Sequence, residues 1–305
     1  MFYNKRLLII ANVCIYLVTI VLLSSCIKEN LCECKPQKAM VHLQILPEWN
    51  TGIQRPEGIR IWFYSLDTHK YVQDNFPPQG GEILMREGNY QLILHNNDSE
   101  KIIFRNTGSY EAAEAYTNKM SRPSYISPVD NEDTFGQPDK LWLDFIDSFE
   151  ISPKSTLIRF QPRQLTKTFA GTVKVEGLKN VQAVRGAITG MQGSILLSTG
   201  QANKSSTIFF DVTANKDDVK FEFRCFGPFH QKESIAKHFL ALEFLLPHGI
   251  IQKNIDITQQ IENLLDGGVV EINKEITIPP DTTGTDGGFN ANVEDWKELV
   301  YPINI

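Results

Sequence analysis

From Val219 to Cys225 the chain places an apolar residue at every second position. Val219, Phe221, Phe223 and Cys225 interleave with Lys220, Glu222 and Arg224. Side chains that alternate with period two define a strand with one face in a core and the other in water. The pattern recurs along the chain. Val41, Leu43 and Ile45 alternate with His42 and Gln44 until Pro47, and Leu240, Leu242, Phe244 and Leu246 form another run, closed by Pro247. Ile59-Arg60-Ile61-Trp62-Phe63-Tyr64 is rich in β-branched and aromatic residues, which fit a pleated sheet. Between the runs stand strong breakers: Pro56-Glu57-Gly58, Pro77-Pro78-Gln79-Gly80-Gly81, Gly88-Asn89 and Gly177-Leu178-Lys179-Asn180. Short strands separated by such turns predict an all-β chain built as sandwiches.

A second series of strands starts after Pro162–Lys167, with Phe169, Gly171, Val173 and Val175. Each half holds about seven short strands, the number a sandwich needs. Two departures are expected. Ser109 to Met120 contains Glu111-Ala112-Ala113-Glu114-Ala115, whose helix propensity predicts a short helix or an ordered loop. Gln259 to Leu265 reads as a short helix capped by Thr258 and stopped by Gly267-Gly268.

The N-terminus reads as an export signal. Asn4, Lys5 and Arg6 precede an almost wholly apolar run from Leu7 to Leu23, and Leu23-Ser24-Ser25-Cys26 follows. A charged start, an apolar centre and small residues before a cut are the marks of a secretory signal. A spanning helix needs roughly 20 apolar residues, so the run is near the lower limit for an uncleaved anchor. Cys26 is the expected lipidation site, and several acyl chains anchor stably where one does not. Ile27-Lys28-Glu29-Asn30 resembles the short charged signal that sends lipoproteins to the outer face of the outer membrane in Bacteroidetes-type bacteria. The expected organisation is a signal peptide at 1–25, a lipidated tether at 26–38, and two tandem β-sandwich domains at 39–163 and 164–305.

Composition narrows the function. The net charge is −6 and no basic block occurs, so the footprint of a nucleic-acid binder is missing. Cys14 leaves with the signal, Cys225 reads as a small buried hydrophobe, and Cys32 and Cys34 lack the second ligand pair that a metal site requires. Asp130, Asn131, Glu132 and Asp133 cluster without calcium-loop spacing. His42, His69, His95, His230, His238 and His248 are scattered, and His230 and His238 are too far apart to share one strand face. Asp144, Asp147 and Glu150 could pair as carboxylates for glycoside hydrolysis, but nothing fixes their separation. Catalytic signatures such as H-E-x-x-H and G-x-S-x-G do not occur. The expectation is a protein without enzymatic activity, without a metal and without a cofactor beyond the lipid on Cys26.

The order of short motifs carries a resemblance. The lipobox leads to the strand from Val41 to Leu46. Pro56-Glu57-Gly58 stands before Ile61-Trp62-Phe63-Tyr64, Gly88-Asn89-Tyr90 before a strand, and His95-Asn96-Asn97-Asp98 follows. Gly190-Met191, Phe226-Gly227, Asp256-Ile257-Thr258 and Gly287-Gly288-Phe289 with Trp296 complete the series. Together they resemble the fimbrillin-like lipoproteins of Bacteroidales bacteria, a group of type V pilins and fimbrial anchor proteins. The resemblance implies two transthyretin-like β-sandwiches. In related pilins an arginine-specific protease removes the first strand, and the C-terminal strand of a neighbour fills the groove. By that analogy Arg55 is the candidate cut site, because Arg60 falls inside a strand. Leu299, Val300, Tyr301, Ile303 and Ile305 form the candidate donor strand, in which Pro302 removes one ladder donor. The expected partners are the outer membrane, other fimbrial subunits, and a host surface or glycan. A competing reading is a glycan-binding surface lipoprotein that uses Trp49, Trp62, Tyr64 and Trp142 as sugar platforms.

Overall fold

The computed structural model describes residues 39–280, apart from positions 53, 156, 203 and 232–233. The first half contains β1 (Met40–Pro47), β2 (Ile59–Ser65), β3 (Tyr71–Phe76), β4 (Gly81–Arg86), β5 (Gly88–Asn96) and β6 (Ile103–Arg105). It continues through β7 (Glu114–Tyr116), β8 (Asp133–Gly136), β9 (Trp142–Ile151), β10 (Leu157–Phe160) and β11 (Arg163–Gln164). β1 is the middle strand of a three-stranded sheet, flanked by β4 and by β10, which runs parallel to it. Val41, Leu43 and Ile45 point into the core while His42 and Gln44 face out, as the alternation predicts. Gly80 delivers β4 to this sheet with φ +87°, and a Cβ there would lie 2.1 Å from the Ile45 carbonyl oxygen. Only glycine serves at that approach.

The facing sheet has the order β11-β9-β5-β2-β3. Ile59, Ile61 and Phe63 of β2 pack toward β1, together with Leu92 and Leu94 of β5 and Ile158 and Phe160 of β10. Trp62, Tyr64 and Ile93 point the other way, into a second apolar layer. A strand buried on both faces reads as a continuous apolar run rather than a clean alternation, which accounts for Ile61-Trp62-Phe63-Tyr64.

A small sheet of order β14-β7-β6 covers that second layer. β14 (Ser194–Leu196) comes from the second half of the chain and pairs with β7 through Ser194↔Tyr116 and Leu196↔Glu114. Of the short helix or ordered loop expected within Ser109 to Met120, the structure forms no helix: this stretch is an ordered turn, closed by Ala113 N–H donating to the Ser109 carbonyl, leading into β7. Ala113 and Ala115 are fully buried beneath the central sheet. Their small side chains permit that close approach, and packing overrides propensity.

The second half contains β12 (Lys167–Glu176), β13 (Ala183–Gln192), β14, β15 (Ser205–Asn215) and β16 (Asp218–Cys225). After these come β17 (His230–Gln231), β18 (Ser234–Ile235), β19 (Phe239–Leu246), β20 (Gly249–Asp256), the helix α1 (Thr258–Asn263) and β21 (Gly268–Thr277). The path β20-β19-β13-β15-β16-β12-β21 folds over on β15. The first part of β15 pairs with β13 and, in parallel, with β8, whereas Val212–Asn215 pairs with β16. Phe169, Phe210 and Phe223 stack in the core between the two arms.

The expected cap of α1 also needs correction. Ile257 occupies the N-cap and no side chain caps the helix. The Thr258 hydroxyl instead accepts a hydrogen bond from the His238 backbone N–H at 2.9 Å.

The connection from β5 to β9, residues 97–141, ties the two halves together. Arg122 on this excursion donates to Glu243 Oε2 of β19 at 3.2 Å and to the Gly186 carbonyl at 2.9 Å, and its guanidinium lies 4.3 Å from the Phe209 ring centroid. Ser124 donates to Glu243 Oε1 at 2.7 Å. Glu132 accepts from the Gly190 N–H and from the hydroxyls of Ser205 and Thr207. From Val41 onward the chain clusters as one compact unit.

Candidate assembly site

The residues proposed from sequence fall into three groups. Cys26, Cys32 and Cys34, and Leu299, Val300, Tyr301, Ile303 and Ile305, lie outside the described residues. Val41 to Leu46, the first strand that processing of the pilin kind would remove, forms β1 in the middle of its sheet. Arg55 follows it, exposed, in the connector to β2.

That connector is pinned at both ends. The Trp49 indole donates to the Pro78 carbonyl at 2.6 Å and meets Trp142 edge-on, with ring centroids 5.5 Å apart. At the other end Pro56 is buried and the Glu57 N–H donates to Asp98 Oδ2 at 2.9 Å. Asn97 Nδ2 holds the Ile59 carbonyl alongside. Arg55 opens onto a cleft of about 280 Å³, whose walls include Asp98, Asp139, Trp142 and Arg224. The bond after Arg55 is a tertiary amide to Pro56: its nitrogen bears no hydrogen, and the proline ring restricts the residue before it. Arg60 lies within β2, paired to Asn75 of β3 on one side and His95 of β5 on the other.

Other candidates resolve into structural roles. Trp62 and Tyr64 are 1% and 6% exposed and Trp142 is 3%, while Trp49 packs partly buried against the first core. The sugar-platform assignment of these aromatics is thus corrected: they are core, because inner strand faces are where large rings bury most area. Cys225 is free and buried, 3.8 Å from Met191 Sδ, and burial pushes its thiol up to about 12. In the acidic cluster, Glu132 is held by β13 and β15, and Asp133 pairs with Lys119 and Lys204, which keep its carboxyl below the usual range. Asp147 accepts the Tyr110 hydroxyl at 2.6 Å, and Asp144 accepts the Gln161 N–H at 2.6 Å.

His95 is a buried titratable group that the motif reading used only as a landmark. Its ring lies between Trp62 and Phe104, 4.7 and 4.3 Å away by centroids, and Nδ1 contacts the Asn96 carbonyl at 2.7 Å. Burial drives its pKa down to about 4, below an unfolded value near 6.5. The unfolded chain therefore binds the extra proton between those values, and stability falls as pH drops through that window. The expected loss is about 3 kcal/mol between pH 6.5 and pH 4. Urea melts against pH for the parent and a His95→Phe variant check this, and equal slopes would refute it.

A family model described as domain of unknown function, DUF5119, matches residues 25–211, which include the first core, the 97–141 excursion and β14. The chain belongs to the DUF5119 family. The resemblance to fimbrial surface proteins also holds. This DUF5119 protein is 25% identical to the proposed fimbrium anchoring subunit Fim4B of Bacteroides ovatus, covering 95% of this chain and 97% of that one. Its fold matches the crystal structure of a proposed adhesin from Bacteroides ovatus with TM-score 0.68, at 23% identity, over 80% of this chain and 94% of the other. The fimbrial anchor protein Mfa2 from Porphyromonas gingivalis aligns with TM-score 0.46 and 11% identity, over 67% and 78% of the two chains.

Proposed function

We propose that this chain is a non-enzymatic fimbrial subunit of the anchoring type, held at the outer membrane by lipid on Cys26 and facing the cell surface. The observation that carries the reading is the environment of β1. The strand fills the middle of its sheet, and its connector is pinned by Trp49 and by buried Pro56. Processing at Arg55 would have to break a tertiary amide bond whose proline ring is packed into the protein. Both features favour a chain that keeps its first strand and its lipid. End-to-end similarity to a proposed anchoring subunit supports the same reading.

With β1 retained, the centre of its sheet is occupied, and the chain has no vacated groove to offer a neighbour. It joins other fimbrial subunits by donating Leu299, Val300, Tyr301, Ile303 and Ile305 as an added strand, with main-chain hydrogen bonds supplying the affinity. Mass spectrometry of the cellular protein tests the proposal: the expected result is a full-length chain beginning at an acylated Cys26. A mature N-terminus at Pro56 or Glu57 would refute it. Deleting residues 299–305 should release fimbriae from cells while leaving this protein in the membrane, and cells that keep their fimbriae would count against the donor role.

A further inference from the structure

The cleft beside Arg55 gathers positive charge that the protein itself does not pair. Its walls carry three cations from three parts of the fold: Arg55 on the connector to β2, Lys140 at the end of the 97–141 excursion, and Arg224 on β16. The Arg224 N–H donates to Gln137 Oε1 at 2.8 Å, which fixes β16 against the excursion. Among the described residues, none of the three cations is ion-paired with a carboxylate. Lys140 Nζ donates instead to the Gln54 amide oxygen at 3.3 Å. Arg224 Nε is buried and has no hydrogen-bond partner.

Two carboxylates share the cleft, but they hold the surrounding loops. Asp98 accepts from Asn96 Nδ2 at 2.6 Å and from the Glu57 N–H at 2.9 Å. Asp139 Oδ2 accepts from the N–H groups of Glu100 and Lys101, at 3.0 and 2.9 Å, and from the Ser99 hydroxyl at 3.3 Å. Three cations against these two carboxylates leave one net positive charge. A buried guanidinium donor without an acceptor costs stability and calls for an explanation. Guanidinium forks match the paired oxygens of an oxyanion, which an ammonium group meets only as a point charge.

We propose that this cleft binds a singly charged oxyanion carried on a sugar, either a carboxylate or a sulfate ester. Arg55 and Arg224 are the forks and Lys140 is the point charge. A volume of about 280 Å³ is far more than a bare ion fills, since one water takes about 30 Å³ of liquid. The walls also select the carrier. An apolar carrier would strip water from Asp98 and Asp139 and offer nothing in return, whereas sugar hydroxyls donate to them. Trp142 in the wall is only 3% exposed, so charge and hydroxyl contacts govern recognition rather than ring stacking. The inference rests on the anchoring reading only in that the connector stays uncut and keeps Arg55 in place.

The test is isothermal titration of the full chain in detergent, shown by mass to be intact across Arg55. The methyl glycoside of glucuronic acid and galactose 6-sulfate are the acidic probes. Methyl glucoside and inorganic sulfate each lack half of the required chemistry. At least one acidic sugar should bind at least about tenfold more tightly than either control, and the tighter of the two names the anionic group. Arg55→Gln and Arg224→Gln should each weaken that binding by about tenfold or more. Arg55 is exposed, so its variant should melt like the parent and its loss of binding reads the cleft alone. Raising NaCl from about 50 to about 300 mM should weaken binding as well. The proposal is overturned if neither acidic sugar binds at about 10 mM, if a control binds as tightly, or if Arg55→Gln binds like the parent. Those failures, in an intact chain, leave the anchoring reading standing; a cellular chain severed after Arg55 overturns that reading and this site together.

Discussion

Replacing Arg122 with methionine is expected to cost about 3–5 kcal/mol of stability, because it strands a charge that the fold buries. Glu243 has a side chain only 1% exposed, and Arg122 and Ser124 supply its recorded side-chain hydrogen bonds. Removing the guanidinium also frees the Gly186 carbonyl and takes the cation from the face of Phe209. An exposed pair such as Lys119 with Asp133 is a suitable contrast: its loss should cost less than about 1 kcal/mol. Urea unfolding followed by circular dichroism measures both. Pairing Arg122→Met with Glu243→Leu should recover much of the loss, since apolar residues of similar volume replace buried ion pairs well. A single-variant loss below about 1 kcal/mol would mean that water reaches Glu243 after all.

The second large effect belongs to β1. Leu43 is 1% exposed at the centre of the first core, and Leu43→Ala should destabilise the protein by about 2–5 kcal/mol through lost transfer energy and a cavity. Changing outward-facing His42 to alanine should move stability by less than about 0.5 kcal/mol. Chemical melts of the two variants side by side make the comparison, and similar midpoints would show that β1 is not integral to the core. The contrast bears on function. A strand that contributes this strongly leaves an exposed apolar trough when removed, so a chain that sheds it must acquire a replacement.

The strands with one wet face were legible in the sequence. β1 and β16 lie where Val41–Ile45 and Val219–Cys225 alternate, because a single buried face imposes period two; β19 lies at Leu240–Leu246, although Ala241 and Glu243 on its other face are buried as well. The excursion at 97–141 was not legible. Its residues are polar and irregular, and their partners are remote: Arg122 and Glu243 meet across 121 positions. No local period records such a contact. Ala113 and Ala115 left helix and ordered loop both open for a related reason, since small residues suit both a helix and a tightly covered turn and strand. A platform role for Trp62 and Tyr64 stayed open as a competing reading because nothing local announced that a strand from beyond Leu165 would roof them. The gathering of Arg55, Lys140 and Arg224 at one cleft escaped notice likewise, as three different parts of the fold deliver them.

β14 gives the chain a timing problem. Trp62, Tyr64 and Ile93 belong to strands made early, yet their covering sheet is completed by Ser194–Leu196, synthesised roughly a hundred residues later. Until that segment arrives, one face of the first half presents large apolar side chains to its surroundings. Sequential maturation, with the first half finished before the second begins, is thus closed to this protein. A nascent chain halted before Ser194 would be sticky, and an escort that shields apolar surface would be needed for as long as the pause lasted.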